Sequence, residues 1–477
     1  MKKYTIKLRT VGSIALLFFL TILNGCKKLV EVNAPVTNIN SANVYNTDIA
    51  ATAALNGLYT NMIGLFPNIS VYPALSADEL TLTQTFNNDY FAYYTNNLNS
   101  QAYGAELWTS FYQNLFVINS AIEGLSTTNN LSTSVKQQLL GEAKFLRAFS
   151  YFYLVNYYGD VPLALTSDYS INSQLARAPK AEVYKQIVAD LIDAQSLLST
   201  KYLDGTVLNV STQRLRPTKW AAAALLARVY LYTGDWTNAE KQASIVINDN
   251  ADFGLSTLAN AFLDAKLNNK EAIWQLQPVY FQTNTADARF FVIQSTATSP
   301  TYLNNNFLNS FEPNDQRKIS WIGNITLNVA GVPTTYYFPN KYKIYLNTPT
   351  ITEFQMVLRL AEVYLIRAEA EANGAGAGIN GALSDLNVIR TRAGLPNYAG
   401  ATTLAALSTA ILHERQVELF TEWGHRWLDL KRTNTVDAVM SAAAVQKQTT
   451  WNTNAKLYPI PLSDLKADQK LVQNPGY

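Results

Sequence analysis

The stretch from Pro217 to Asp249, "PTKWAAAALLARVYLYTGDWTNAEKQASIVIND", carries the clearest helical periodicity in this chain of 477 residues. Pro217 and Thr218 suit a helix start, and small or apolar residues then recur at the spacing of one helix face. Gly234 and Asp235 interrupt this pattern before a second amphipathic stretch begins. The sequence therefore predicts a helical hairpin, which cannot bury its apolar face without further helices beside it.

The positions around this turn match a tetratricopeptide repeat. Tyr230, Gly234, Trp236 and Ala239 stand where that repeat has its tyrosine, its turn glycine and its packing alanine. Further helical stretches supply the neighbours that the hairpin needs: 107–125 with 137–163, 354–373 with 380–395, and a long helix with a return at 407–432. We therefore expect a mainly α fold, built as a tetratricopeptide-like array of helical hairpins.

The periodic stretches also predict the organisation of the chain. We expect one domain over residues 26–477, with a helical scaffold at about 40–165, 180–250 and 354–432. Residues 251–353 lack a helical period and are rich in Asn, Thr, Pro and Tyr, so they predict an irregular lobe with short strands. The C-terminal segment 433–477 is mixed. Long irregular excursions of this kind usually carry function.

The N-terminus has the features of an exported lipoprotein. A basic head precedes an apolar run from Val11 to Leu23, which as a helix reaches only roughly 20 Å and so cannot cross a membrane core of about 30 Å. Residues 1–25 are thus predicted to be a signal peptide. The letters "LNGC" that end at Cys26, the only cysteine, resemble the bacterial lipobox. This resemblance implies that Cys26 becomes the N-terminus and carries the two or three acyl chains of a stable anchor.

Composition excludes several classes of function. The formal charge of +2 becomes −2 once the basic signal peptide is removed, so nothing calls for nucleic acid. One cysteine excludes an internal disulfide, and two histidines, His413 and His425, exclude a histidine-rich metal site. We predict no cofactor and no metal. A calcium site among the Asp and Asn residues stays open, although no EF-hand spacing supports one.

Six sequence blocks resemble, in this order, the signatures of the SusD/RagB family: "GEAKFLRAFSYFYLVNYYGDVPL", "LLARVYLYTGDWTNAE", "LRLAEVYLIRAEAEAN", "LNVIRTRAGL", "ERQVELFTEWGHRWLDLKR" and "LYPIPLSDLKADQKLVQNPGY". The resemblance covers nearly the whole mature chain. It implies an outer-membrane lipoprotein, facing the exterior, that binds nutrient oligomers, usually glycans and in some members peptides. The implied partner is a SusC-like TonB-dependent transporter, of which such a protein is the lid. Lys27 and Lys28 stand where exported members often carry acidic residues, which leaves a periplasmic orientation open.

The block "HERQVELFTEWGHRWLDLKR" at first suggests an enzyme. A zincin requires His-Glu-x-x-His, but after His413 and Glu414 the second histidine position is Val417. Carboxylates at the spacing of Glu414 and Glu418, beside arginine, more often form ion pairs that lock helices together. A glycoside hydrolase would need two carboxylates about 5 to 10 Å apart across a cleft, and no block supplies that pair. We therefore predict no catalytic residue.

The predicted ligand site lies in "TFNNDYFAYYTNNLN" (85–99), outside the periodic helices. Sugar rings have apolar C–H faces and hydroxyl rims, so flat aromatic side chains beside amides and carboxylates suit them. The candidates are Asn87, Asn88, Asp89, Tyr90, Tyr93 and Tyr94, followed by Tyr280 in "PVYFQ" and Trp321 in "SWIGN". The alternative to a ligand-binding role is that some of these aromatic side chains belong to the core. A rival function is a repeat adaptor, or a RagB-like lipoprotein, that binds peptides.

Overall fold

The computed structural model describes residues 44–83, 88–101, 103–267, 269–296 and 299–477. Residues Tyr45–Tyr477 form one compact unit. The predicted signal peptide, the predicted lipid attachment at Cys26 and the candidate Asn87 lie outside the described residues and stay predictions.

Helices make up most of this unit, which confirms the mainly α prediction. In chain order the helices are α1 Asp48–Ile63, α2 Phe66–Ser76, α3 Asn88–Tyr94, α4 Ala105–Thr127, α5 Thr133–Tyr158, α6 Tyr169–Asn172, α7 Lys180–Leu197, α8 Lys219–Thr233, α9 Trp236–Ile247, α10 Ala286–Phe291, α11 Asn305–Leu308, α12 Gln316–Trp321, α13 Leu360–Ala372, α14 Gly378–Arg392, α15 Leu404–Glu418, α16 His425–Arg432, α17 Val436–Gln446 and α18 Leu462–Ala467.

The strands are short and pair two at a time. They are β1 Leu80–Leu82, β2 Val161–Pro162, β3 Arg177–Ala178, β4 Ala272–Leu276, β5 Thr301–Leu303, β6 Ile322–Val329, β7 Val332–Pro339 and β8 Gln355–Arg359. The antiparallel pairs are β1 with β5, β2 with β3, β4 with β8, and β6 with β7. Because β1 and β8 adjoin scaffold helices, their pairing with β5 and β4 holds the predicted irregular lobe against the scaffold.

The hairpin predicted at 217–249 is confirmed as α8 and α9. Gly234 ends α8 with φ of +74°, a conformation that glycine adopts without a steric clash. The carboxylate of Asp235 then caps α9 by accepting a hydrogen bond from the backbone N–H of Asn238 at 3.2 Å. Ala239 is fully buried, and α9 packs against both α8 and α13. The small side chain therefore lies where helices approach closely.

Two segments differ from the expectation. Residues 355–359 were expected to begin a helix, but they form β8, and α13 begins only at Leu360. All five β8 residues are buried, and the short apolar run at 356–358 fits a buried strand as well as a helix. The C-terminal segment, expected to be mixed, contains the regular helix α17. Its buried Val436, Met440 and Ala443 recur at helical spacing.

A group of buried ion pairs, the Glu418 cluster, joins elements that are far apart in the sequence. The Glu418 carboxylate at the end of α15 pairs with Arg317 of α12 at 3.1 Å, with Arg359 of β8 at 2.5 Å, and with Arg392 of α14. Burial alone would raise the pKa of Glu418, but these guanidiniums hold it well below its usual range. The prediction of ion pairs that lock helices together is therefore confirmed.

Candidate ligand-binding site

The segment that carries most of the predicted site residues was placed outside the periodic helices, but part of it is helical. Residues Asn88–Tyr94 form α3. Tyr90, Tyr93 and Tyr94 are three and four residues apart, so on a helix they share one face. That face turns toward the interior, and only its edge reaches the surface: Tyr90 is half-buried, while Tyr93 and Tyr94 are buried.

Tyr93 and Tyr94 are therefore not available as ring platforms for a ligand, which corrects their assignment. The Tyr93 ring is 1% exposed and stacks on Tyr72, with 4.1 Å between centroids and 7° between planes. Burial raises the pKa of Tyr93 well above its usual value. The Tyr94 ring faces the ammonium of the buried Lys447, 5.0 Å from the ring centroid. Both rings contribute to the core.

Trp321 is also a core residue, which corrects a second assignment. Its side chain is fully buried, and its indole Nε1–H donates to the backbone oxygen of Leu258 at 2.8 Å. The ring packs edge-to-face with Phe262 and lies 5.0 Å from the ammonium of Lys341. A tryptophan buried with its N–H satisfied stabilises the lobe and presents no face to a ligand.

Tyr90 and Tyr280, by contrast, line one cavity of about 410 Å³, here called the Tyr90 cavity. Its walls come from α2, α3, α10, the start of β8 and the loop that follows β4. The Tyr90 ring packs edge-to-face with Phe290, with centroids 5.6 Å apart. Tyr280 is 66% exposed on the loop after β4, beside the more exposed Phe281. The structure thus brings together Tyr90, a candidate from 85–99, and Tyr280, a candidate from the irregular lobe.

Amide side chains accompany these rings. Asn284 accepts hydrogen bonds at Oδ1 from the backbone N–H groups of Thr352 and Glu353, both at 2.9 Å. Its Nδ2 is buried and has no partner among the described residues. Gln355 donates through Nε2 to Asp287 Oδ2 at 2.6 Å, and burial raises the pKa of Asp287 to about 7. Asn284 and Gln355 line the cavity, whereas Asp287 does not.

Asp89 lies in a different depression from its neighbour Tyr90. This second cavity, of about 340 Å³, is lined by Tyr72, Asp89, Tyr93 and Glu106 among others. The Glu106 carboxylate accepts hydrogen bonds from Asn68 Nδ2 at 2.6 Å and from Tyr72 Oη at 2.5 Å. Asn68 also lines the Tyr90 cavity, so it adjoins both. The structure therefore separates two candidates that are adjacent in sequence. Asn88 is the first residue of α3.

The described residues that line the Tyr90 cavity combine aromatic faces, amides and hydroxyls, and include no carboxylate. Such a surface suits non-covalent binding of a polyhydroxylated ligand: the rings cover C–H faces and the amides bond to hydroxyls. The sequence prediction missed Asn284, Arg289 and Phe290. They lie in "TNTADARFF" (283–291), within the irregular lobe, where aromatics and amides are mixed as they are at 85–99.

Comparison with known proteins gives consistent matches. The model of the SusD family matches residues 256–477, and a second model, described as "Starch-binding associating with outer membrane", matches residues 35–231. Among curated relatives, SusD-like protein P2 of Formosa agariphila is 26% identical and aligned over 100% of both chains. A SusD-like protein of Bacteroides ovatus is 25% identical, covering 89% of this chain and 82% of the relative.

Solved structures agree with this fold. A SusD superfamily protein from Bacteroides vulgatus superposes with a TM-score of 0.76 at 22% identity, over 90% of this chain and 99% of the other. A laminarin-binding SusD-like protein gives 0.73 at 24% identity, over 90% and 99%. Surface glycan-binding protein A from Bacteroides uniformis gives 0.74 at 20% identity, over 89% and 98%. At these identities the structures establish the fold, and the two family models match successive parts of nearly the whole chain. The chain therefore belongs to the SusD family, the SusD/RagB family that its sequence blocks resemble.

Proposed function

We propose that this protein binds a nutrient oligosaccharide without chemical change and passes it to a SusC-like TonB-dependent transporter. The observation that carries the binding proposal is the convergence of Tyr90 and Tyr280, with Phe290 and Asn284, on one cavity of about 410 Å³. A cavity of this size accommodates a few sugar units. Two proteins of the same fold, a laminarin-binding SusD-like protein and a surface glycan-binding protein, support the same ligand class.

The proposed location is the outer membrane, with lipid on Cys26 and the binding cavity facing the exterior. The description "Starch-binding associating with outer membrane" of one matching family model supports association with that membrane. The lipid anchor and the transporter rest on the lipobox and on the family resemblance. Co-purification of the membrane-bound protein with a TonB-dependent transporter tests the partner. Isolation of the membrane-bound protein without any such transporter would contradict this part of the proposal.

The binding cavity gives the first prediction. Tyr280→Ala and Tyr90→Ala should each weaken oligosaccharide binding by about 1 to 3 kcal/mol, because each removes an aromatic contact surface. The wild-type dissociation constant should be on the order of 10 μM to 1 mM, which allows release to a transporter. Calorimetry on the best ligand from a glycan screen measures both quantities. Because Tyr280 is largely exposed, its variant should also keep the wild-type stability.

Tyr169→Ala is the matched control, since Tyr169 is 78% exposed and does not line the Tyr90 cavity. Its affinity should equal that of the wild type. Unchanged affinity in both cavity variants would place the site elsewhere. A peptide bound along the helical hairpins, with no glycan bound at all, would instead favour the repeat adaptor.

The anchor gives a second prediction. In cells fed a labelled fatty acid, the wild-type protein should carry the label, and Cys26→Ser should lose it and leave the membrane fraction, because no other thiol exists. Lys27→Ser, which keeps the lipobox, should retain the label. Label on the Cys26→Ser protein would contradict lipid attachment at this residue.

A further inference from the structure

Arg289 stands apart from the other arginines of the described chain. It lies on α10 beside Phe290, is exposed, and lines the Tyr90 cavity. Within the described residues no ion pair or hydrogen bond involves its guanidinium. Every other described arginine pairs with a carboxylate or donates to backbone oxygens, as Arg177 and Arg214 do. Arg289 therefore keeps its full donor capacity for a ligand.

The charge of Arg289 is not offset by the cavity wall. Of the described residues that line the cavity, Arg289 is the only charged one. Two carboxylates bond to residues of the wall or its neighbours: Glu106 accepts from Asn68 and Tyr72, and Asp287 accepts from Gln355. Burial raises the pKa of Asp287 to about 7, which reduces its negative charge at neutral pH. The described lining of the cavity thus carries one positive charge and no negative charge.

A second donor in the same cavity also has no protein partner. Asn284 is 3% exposed, and its Oδ1 accepts from two backbone N–H groups, which fixes the orientation of the amide. The Nδ2 group is therefore the free end, buried and unpaired among the described residues. An unpaired buried donor is costly and rare in folded proteins. Because this nitrogen has almost no accessible surface, a ligand oxygen satisfies it only when the cavity wall opens at Asn284.

We propose that the Tyr90 cavity selects an anionic sugar unit, one that bears a carboxylate or a sulfate group. This inference rests on the proposed function. Arg289 pairs with the anionic group, for which the guanidinium fork provides two parallel hydrogen bonds. Asn284 Nδ2 donates to an oxygen of the same unit, and Tyr90 and Tyr280 cover its C–H faces. An anionic group only accepts hydrogen bonds, whereas the hydroxyls of a neutral sugar both donate and accept. The two donors, Arg289 and Asn284 Nδ2, therefore favour an anionic unit, since no carboxylate is among the described residues that line the cavity beside them.

Calorimetry with the mature chain and three oligosaccharides of equal length tests this inference: a neutral β-glucan oligomer, a uronic acid oligomer and a sulfated galactan oligomer. We expect one of the two anionic oligomers to bind about 10- to 100-fold more tightly than the neutral one. The preferred oligomer identifies carboxylate or sulfate as the source of the charge. Raising the salt concentration from 50 to 500 mM should weaken only the anionic interaction, because salt screens it.

Variants assign this preference to residues. Arg289→Gln should reduce the anionic affinity to the neutral level and leave neutral binding unchanged, and Arg289→Lys should retain part of the preference because it keeps the charge. Asn284→Asp keeps the Oδ1 acceptor but replaces the donor with a negative charge, so it should also lose anionic binding. Lys241→Gln removes an exposed charge on α9, outside the cavity, and is the matched control with unchanged affinities.

The two proposals fail in different ways. If the neutral oligomer binds at least as tightly as both anionic ones, and Tyr280→Ala weakens this binding while Arg289→Gln does not, the anionic preference is overturned and the glycan-binding function stands. If no glycan in the wider screen binds the wild-type chain, the proposed function itself is overturned. Far-ultraviolet circular dichroism and melting temperature should be unchanged for Arg289→Gln, because its side chain is exposed and has no partner in the described structure.

Discussion

Glu418→Ala should lower the free energy of unfolding by about 3 to 5 kcal/mol, because it removes the carboxylate shared by three buried guanidiniums. Arg317, Arg359 and Arg392 all pair with Glu418, and the side chains of Glu418 and Arg317 are fully buried. Without the carboxylate the three buried guanidiniums repel one another and are offset only by their remaining carboxylate partners, such as Glu271 and Glu414. Urea denaturation of the purified protein, followed by circular dichroism, measures the change.

Glu182→Ala is the matched control, since Glu182 forms an exposed pair with Lys185 at 3.8 Å. It should change the stability by less than about 1 kcal/mol. A similar small change for Glu418→Ala would contradict the importance of the Glu418 cluster.

The pH dependence of stability gives a second measurement on the same variant. The folded-state pKa of Glu418 is below its unfolded value, so its contribution is complete above about pH 5 and is lost as the pH falls toward the folded-state pKa. The wild-type protein should therefore lose stability more steeply on acidification than Glu418→Ala does. Equal slopes for the two proteins would contradict this.

The Glu418 cluster also bears on the ligand site through β8. Arg359 ends this strand and pairs with Glu418, Glu422 and Glu271, while Gln355 begins it and lines the Tyr90 cavity. Ion pairs hold one end of this strand, and the hydrogen bond from Gln355 to Asp287 holds the amide at the other end. The helical scaffold thus positions a cavity wall that belongs largely to the irregular lobe.

The helices were predictable because their signal is local. In α8 and α9 the apolar period, the turn glycine and the capping aspartate all lie within a few residues of one another. β8 was not predictable in the same way. Its five buried residues have no period, and its strand conformation depends on pairing with β4, which lies far away in the sequence.

The candidate site was only partly predictable, for a related reason. Composition proposed Tyr90 and Tyr280, which line the Tyr90 cavity, but it could not tell them from the buried Tyr93, Tyr94 and Trp321, because tyrosine and tryptophan serve cores as well as surfaces. The helical spacing of the three tyrosines in α3 could have predicted that they share one partly buried face. The approach of α10 to α3, which brings Phe290 against Tyr90, arises from tertiary packing alone.

The hairpin of α8 and α9 gives the other large expected effect on stability. Ala239→Asp should lower the free energy of unfolding by about 3 to 5 kcal/mol, because it places an unpaired carboxylate at a fully buried position. Ala243 and Val246 are buried on the same face of α9, which packs against α8 and α13, so this side offers no route to water. Chemical denaturation compares the variant with the wild type.

Ala442→Asp separates this burial effect from the lower helix propensity of aspartate. Ala442 lies within α17 and is exposed, so the same substitution there should cost less than about 1 kcal/mol. If Ala239 instead faced solvent in a loop, the two variants would lose equally little stability, within about 0.5 kcal/mol of the wild type. The turn at Gly234 and Asp235 brings α9 close to its neighbours. A large loss of unfolding free energy at Ala239 alone would show that this close packing provides a substantial part of the stability of the scaffold.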